Sequence, residues 1–223
     1  MKEIRVTGKG KLTVIPDRTI VIIGLSGVEE DYKKAIEKSK ELSQDIKDIF
    51  TELGFDDKDI KTRNFGVESK YERDYDKRNN WKLIFKGYEF ENELVVEFDK
   101  NSEMLGRILF RLSRSKAKPE LKIQYTVKDV EKQKNDLLKQ AVYDSKKKAE
   151  ILADASNVKL GEIKIIDYSW GEVKVVSNIM DKFIDCMALS DDTDDFEDEA
   201  IDMDLEPEDI NLSDTVTIVW NIE

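Results

Sequence analysis

The stretch Lys86-Gly87-Tyr88-Glu89-Phe90-Glu91-Asn92-Glu93-Leu94-Val95-Val96-Glu97-Phe98-Asp99 decides the fold. Tyr88, Phe90, Leu94, Val96 and Phe98 share one side of an extended chain, and Asn92 is the only break in that row. Glu89, Glu91, Glu93 and Glu97 share the other. A period of two with such contrast is a strand with one face buried and one in water. Strands of that kind build antiparallel sheets covered on one side.

The pattern continues in both directions. Upstream, Ile60 to Tyr75 is extended, and Asp76 to Asn80 is a polar turn. Asp31 to Leu53 carries Tyr32, Ala35, Ile36, Leu42, Ile46, Ile49, Phe50 and Leu53 at helical spacing, with Gly54 as a left-handed stop. Ile4 to Val14 and Thr19 to Leu25 are strands joined at Pro16-Asp17, and a hairpin is expected from them. Gly8 and Gly10 suggest a bulge or bend in the first. Downstream, Ser102 to Ser115 is a short helix, Leu121 to Val127 a strand and Asp129 to Asn157 the longest helix. The expected inward stripe of that helix is Leu138, Ala141, Val142, Ala149, Leu152 and Ala153. Lys159 to Tyr168 and Thr215 to Ile222 are the last strands. The order ββαββαβαββ, with about three helices, predicts an α+β fold with a largely antiparallel sheet. The expected organisation is a single domain over 1–223 with an acidic insert at about 171–213. Leu94, Val96, Phe98, Ile123, Val142, Leu152, Ile218 and Trp220 are the expected core.

Of the 223 residues, 39% are charged and the net charge is -12. Fourteen acidic residues and one basic residue, Lys182, lie between Asp181 and Asp209. The rest of the chain holds 35 acids and 36 bases, so one segment carries the imbalance. Histidine is absent and Cys186 is the lone cysteine, which excludes His-ligated zinc, Ser-His-Asp and Cys-His catalysis, and an internal disulfide. No apolar run is long enough to span a membrane. The first residues, MKEIRVTGKG, are charged where a secretory leader is apolar, so the chain as written is expected in the cytoplasm.

Several stretches together resemble the SIMPL domain family. They are Val6-Thr7-Gly8-Lys9-Gly10-Lys11-Leu12 with Pro16-Asp17, Leu53-Gly54 with Asp59-Ile60-Lys61-Thr62, and Gly87-Tyr88 with Asn92, Leu94 and Val96. The run Ala141 to Ala153, then Leu160-Gly161, Pro207, Ile210 and Val216 to Ile218, continues the match in order. The family usually has Ala where this chain has Ser145. It includes periplasmic immunogenic proteins and proteins linked to oxidative-stress defence, and is often periplasmic or secreted. The resemblance implies no catalytic residues. It also implies self-assembly, since a member forms a ring-shaped, channel-like oligomer.

The residues that could carry chemistry read as follows. Gly8-Lys9-Gly10 is followed by a strand, not the helix a phosphate loop requires. Arg107, Arg111 and Arg114 share a helix face, with Lys116 and Lys118 beyond it. They lack the interleaved aromatics of a single-strand nucleic-acid platform, so nucleic acid is not an expected partner. Tyr71, Tyr75 and Trp81 read as the cover of a hairpin end or as an oligomer interface. Carboxylates beside Cys186 raise its pKa and quiet the thiol. Asp191, Asp192, Asp194 and Asp195 are loose metal candidates, but Phe196 or Glu197 stands where a calcium loop needs glycine. Phe183, Met187 and Phe196 give the insert apolar docking points. The expected function is a non-enzymatic, self-assembling protein that acts through oligomer surfaces, and the resemblance implies a link to stress. No cofactor is expected. The alternative is a binding module using residues 181–209 for a basic partner or divalent cations.

Overall fold

A computed structural model describes residues 2–75, 81–168, 173–178, 184–185 and 206–223. The chain forms two compact units. The first comprises Met1–Asp17, Tyr125–Ser177 and Pro207–Glu223; the second comprises Arg18–Gln124 and Asn178–Glu206.

The second unit holds β2 (Arg18–Glu29), α1 (Tyr32–Glu52), β3 (Ile60–Tyr75), β4 (Trp81–Asp99), α2 (Ser102–Ser113) and most of β5 (Glu120–Thr126). The strand order is β3-β4-β2-β5, extended by the two-residue strands β7 (Ser177–Asn178) and β8 (Ile184–Asp185). β4 is antiparallel to both β2 and β3. Phe90, Asn92, Leu94 and Val96 are buried, as the alternation predicts. Val21, Ile22 and Ile23 of β2 are buried in succession because both faces of that central strand are covered. Asp31 caps α1 by accepting from the Lys33 and Lys34 amides at 2.8 and 3.3 Å. Gly54, at φ +93°, follows the helix end. The inward face of α1 is Ala35, Ser39, Leu42, Ile46 and Phe50, whereas Tyr32 and Ile36, expected inward, are exposed. Asn92, the break in the strand's apolar row, donates Nδ2–H to Ser43 Oγ at 2.8 Å.

The first unit holds β1 (Glu3–Val14), α3 (Val130–Ala155), β6 (Leu160–Asp167) and β9 (Ile210–Ile222). Its sheet has the order β1-β9-β6 with both pairings antiparallel. The expected hairpin of the first two strands does not form. β1 pairs with β9, and β2 with β4 in the other sheet. The connection at Pro16-Asp17 is instead tied to its own unit: the Asp17 amide donates to the Thr126 carbonyl at 3.1 Å, and the Lys128 amide to Asp17 Oδ1 at 2.7 Å.

The expected bulge at Gly8 and Gly10 is also absent, because β1 and β9 stay in register from Glu3 opposite Asn221 to Val14 opposite Ile210. The glycines serve close approach. A Cβ at Gly8 would lie 2.0 Å from the Ala141 carbonyl oxygen, and one at Gly10 would lie 2.2 Å from that of Leu137. The face of α3 that meets them is Leu137, Ala141, Ser145, Ala149 and Ala153, a strict every-fourth-residue row. The expected stripe is therefore rotated: Leu137 replaces Leu138, Val142 is only partly buried, and Leu152 is exposed. Glycine on the strand and small residues on the helix let the two backbones nearly touch.

The remaining core expectations hold for Leu94, Val96, Ile123, Ile218 and Trp220, while Phe98 is half-buried against Phe55. β9 begins at Ile210, five residues before the expected start. Both ends of the expected insert are anchored, since Val175 is buried with Ile210, Leu212, Val127 and Leu137.

Candidate functional site

The most unusual surface lies on β3 and β4. β2 accompanies β4 only as far as Tyr88, whereas β3 accompanies it to Trp81. Residues 81–87 and 71–75 therefore form a two-stranded arm, about 20 Å long at the usual strand rise.

The arm has an apolar face because of one extra residue. The register shifts between Lys70, opposite Gly87, and Tyr71, opposite Phe85, which leaves Lys86 unmatched. Gly87 sits at φ +133°, and a Cβ there would lie 2.3 Å from the Glu29 carbonyl oxygen. The shift changes the phase of the strand. The core-facing residues are even-numbered from Tyr88 onward, and the odd-numbered Trp81, Leu83 and Phe85 take over their side beyond the bulge.

Ring contacts carry that face along: Tyr32 to Tyr88 at 5.5 Å, Tyr88 to Phe85 at 5.3 Å, and Phe85 to Tyr71 at 5.5 Å, all edge-to-face. Arg73 stacks its guanidinium 5.3 Å from the Trp81 ring. α1 covers the sheet's aromatic row only from Tyr32 onward. Past it, Tyr71, Trp81, Leu83 and Phe85 are 55%, 59%, 58% and 45% exposed.

Ion pairs flank this face at the base of the arm. Lys70 meets Glu89 at 2.6 Å and Lys86 meets Glu72 at 3.3 Å. The bond to Glu89 holds the Lys70 ammonium above its usual pKa. Chemically the arm offers contact area, stacking and a cation.

Of the expected aromatic trio, Tyr71 and Trp81 lie on the arm's exposed face, and Tyr75 is opposite Trp81 in the register. The sequence reading missed Leu83 and Phe85. The signal was present: Trp81-x-Leu83-x-Phe85 alternates out of phase with Tyr88-x-Phe90, with a glycine between.

Two of the three arginines on or just past α2 have local partners. Arg107, Arg111 and Arg114 are all exposed; Arg111 approaches Glu52 at 3.8 Å, and Arg114 lies over the Phe110 ring at 4.7 Å. Phe183, Cys186, Met187, Phe196, Asp191, Asp192, Asp194 and Asp195 lie outside the described residues. Among the described residues, no three His, Cys, Asp or Glu side chains form a group able to hold a metal. No helix among them is long and apolar enough to cross a membrane.

Two proteins named 26 kDa periplasmic immunogenic protein, from Brucella melitensis and Brucella abortus, are each 25% identical over 160 residues. Those residues cover 72% of this chain and 64% of each relative, so the chain spans less than two thirds of their length. The SIMPL family profile, described as a protein of unknown function (DUF541), matches residues 4–220. With nearly its whole length matched by that profile, this chain belongs to the SIMPL family.

Proposed function

We propose that the protein is non-enzymatic and works by self-association, with the apolar face of the β3–β4 arm as its contact surface. One observation carries this reading: the sheet's core-facing row runs on past its covering helix, leaving Tyr71, Trp81, Leu83 and Phe85 in water. A two-stranded ribbon is marginal alone. Burying such side chains yields about 1.5–3 kcal/mol each, enough to stabilise both arm and contact. A second copy offers the same face, with Arg73 and the rings available for reciprocal stacking.

Sedimentation of the wild type against a Leu83→Ser/Phe85→Ser variant tests the proposal. The variant is expected to lose the arm contact, and so to associate to smaller species than the wild type, while keeping its circular dichroism. A wild type that stays monomeric at high micromolar concentration, or a variant that associates as well as the wild type, would overturn it.

A second reading rests on the fourteen acids between Asp181 and Asp209. It is a binding module for a basic partner or divalent cations. Deleting residues 181–205 separates the two: the arm reading expects unchanged self-association, and the module reading expects lost capture of basic protein or calcium. Glu206 is kept because it pairs with Lys100 at 2.7 Å.

A further inference from the structure

The two edges of the three-stranded sheet are treated differently. On the β1 edge, α3 bonds directly to the strand's backbone. Ser145 Oγ donates to the Val6 carbonyl at 3.0 Å, the Lys9 amide donates to Asp144 Oδ2 at 2.7 Å, and Lys148 Nζ reaches the Thr7 carbonyl at 3.4 Å. Two outward backbone groups in the middle of that edge, the Lys9 amide and the Thr7 carbonyl, are thereby occupied by α3 side chains, which hinders another strand from adding. The β6 edge has no such cover among the described residues. Ile163, Ile165 and Ile166 are 51%, 46% and 58% exposed, an apolar edge of the kind that recruits a partner strand.

The sequence of this edge matches itself when reversed. Laid antiparallel on a second copy about Ile163, residues 159–167 pair Lys159 with Asp167, Leu160 with Ile166, Gly161 with Ile165, and Glu162 with Lys164. Every charge meets its opposite, every apolar residue meets an apolar residue, and glycine makes room for Ile165.

The irregularities of β6 obey the same symmetry. Its register against β9 slips between Leu160 and Ile163 and again between Ile163 and Ile165, once on each side of the central residue. Leu160, Ile163 and Ile166 stand opposite Ile222, Trp220 and Ile218, on the α3 side of the sheet. Ile165 stands opposite Val219, on the other side. The symmetric pairing therefore sets like-facing residues against each other, as cross-strand neighbours require. A straight strand of another protein would not fit a twice-bulged edge as well. Lys159, Glu162 and Asp167 form no ion pair among the described residues. Lys164 already meets Glu3 at 2.6 Å, which holds it on its side of the sheet.

We propose that β6 pairs with β6 of a second copy, antiparallel about a two-fold axis at Ile163, joining two three-stranded sheets into one of six. This contact lies in the first unit and is separate from the arm of the second.

Analytical ultracentrifugation in the Leu83→Ser/Phe85→Ser background isolates it, because the arm face is then absent. The parent is expected to form a concentration-dependent dimer. Asp167→Lys sets Lys159 against a second lysine at both ends, and Lys159→Glu sets two carboxylates together; each is expected to weaken the dimer about tenfold. Mixing the two single variants restores opposite charges at both ends, so the mixture should dimerise more tightly than either alone. The double variant Lys159→Glu/Asp167→Lys should recover self-association. A parent with no dimer at hundreds of micromolar overturns the proposal. So do single variants that dimerise like the parent, or a mixture no tighter than its components. The arm reading fails separately, when Leu83→Ser/Phe85→Ser leaves the assembly of the otherwise wild-type chain unchanged.

Discussion

Replacing Gly8 by alanine should damage this protein although alanine is the better residue for most backbones. The added Cβ would stand 2.0 Å from the Ala141 carbonyl oxygen, 2.4 Å from the Ser145 nitrogen and 2.6 Å from the Ser145 Cβ. Two of these are backbone atoms of α3 and cannot rotate away. The helix would have to withdraw by about 1 Å to restore even a 3.0 Å separation. A gap of that size forfeits a quarter to a half of each dispersion contact across it. The cluster of Val6, Ala141, Ala149, Val216, Ile218 and Trp220 lies along that seam. Overpacking with such losses costs about 3 kcal/mol, or a melting temperature lower by about 6–12 °C for a chain of this size. Gly66→Ala is the matched control. It is a strand glycine too, but nothing lies within 4 Å of where a Cβ would stand. Its expected effect has the opposite sign, a gain of about 0.4–1 kcal/mol from a stiffer unfolded chain. Urea denaturation of both variants, followed by circular dichroism, gives the comparison. A Gly8→Ala protein within about 0.5 kcal/mol of wild type would refute the close-packing argument.

Ser145→Ala should cost about 1–2 kcal/mol, because the Val6 carbonyl loses a buried donor at 3.0 Å; unchanged urea midpoints would show that the bond contributes nothing. Asp144 should titrate below its ordinary value of 3.8, held down first by Lys148 and then by the Lys9 amide. Its contribution to stability is full above 3.8 and is lost as pH falls through the lowered value. Carboxyl-carbon NMR should show that pKa moving back up in Lys148→Met, and no movement would refute the assigned cause. Asn92→Asp should destabilise by about 3 kcal/mol or more at pH 7, since it buries a carboxylate against α1. The folded-state pKa of the new acid is raised, so the loss should shrink as the pH falls; a loss that grows toward low pH would contradict the burial.

The arm and the edge strand show why parts of this protein could be read early and others could not. The bulge at Lys86–Gly87 changes which residues face out, yet its sequence trace is only a change of phase around one glycine. Whether Trp81, Leu83 and Phe85 are covered depends on where α1 ends over the sheet, which no local pattern contains. The same limit applies to the glycines of β1. A strand glycine can mean a bulge or a close neighbour, and the neighbour lies 133 residues away at Ala141.

Periodicity alone determined the three helices and the long strands, because those depend on residues within a turn or two of one another. It also determined that Phe90, Leu94 and Val96 are buried, because a half-buried strand writes its burial into every second residue. Only the tertiary structure decided that β1 joins β9 rather than β2, that α3 turns Leu137 and Ser145 inward, and that β6 ends a sheet with its isoleucines in water. Strand pairing and helix rotation are settled by contacts between residues far apart in the chain, whose free energy exceeds the local preference of a three-residue turn or a leucine's place in a stripe.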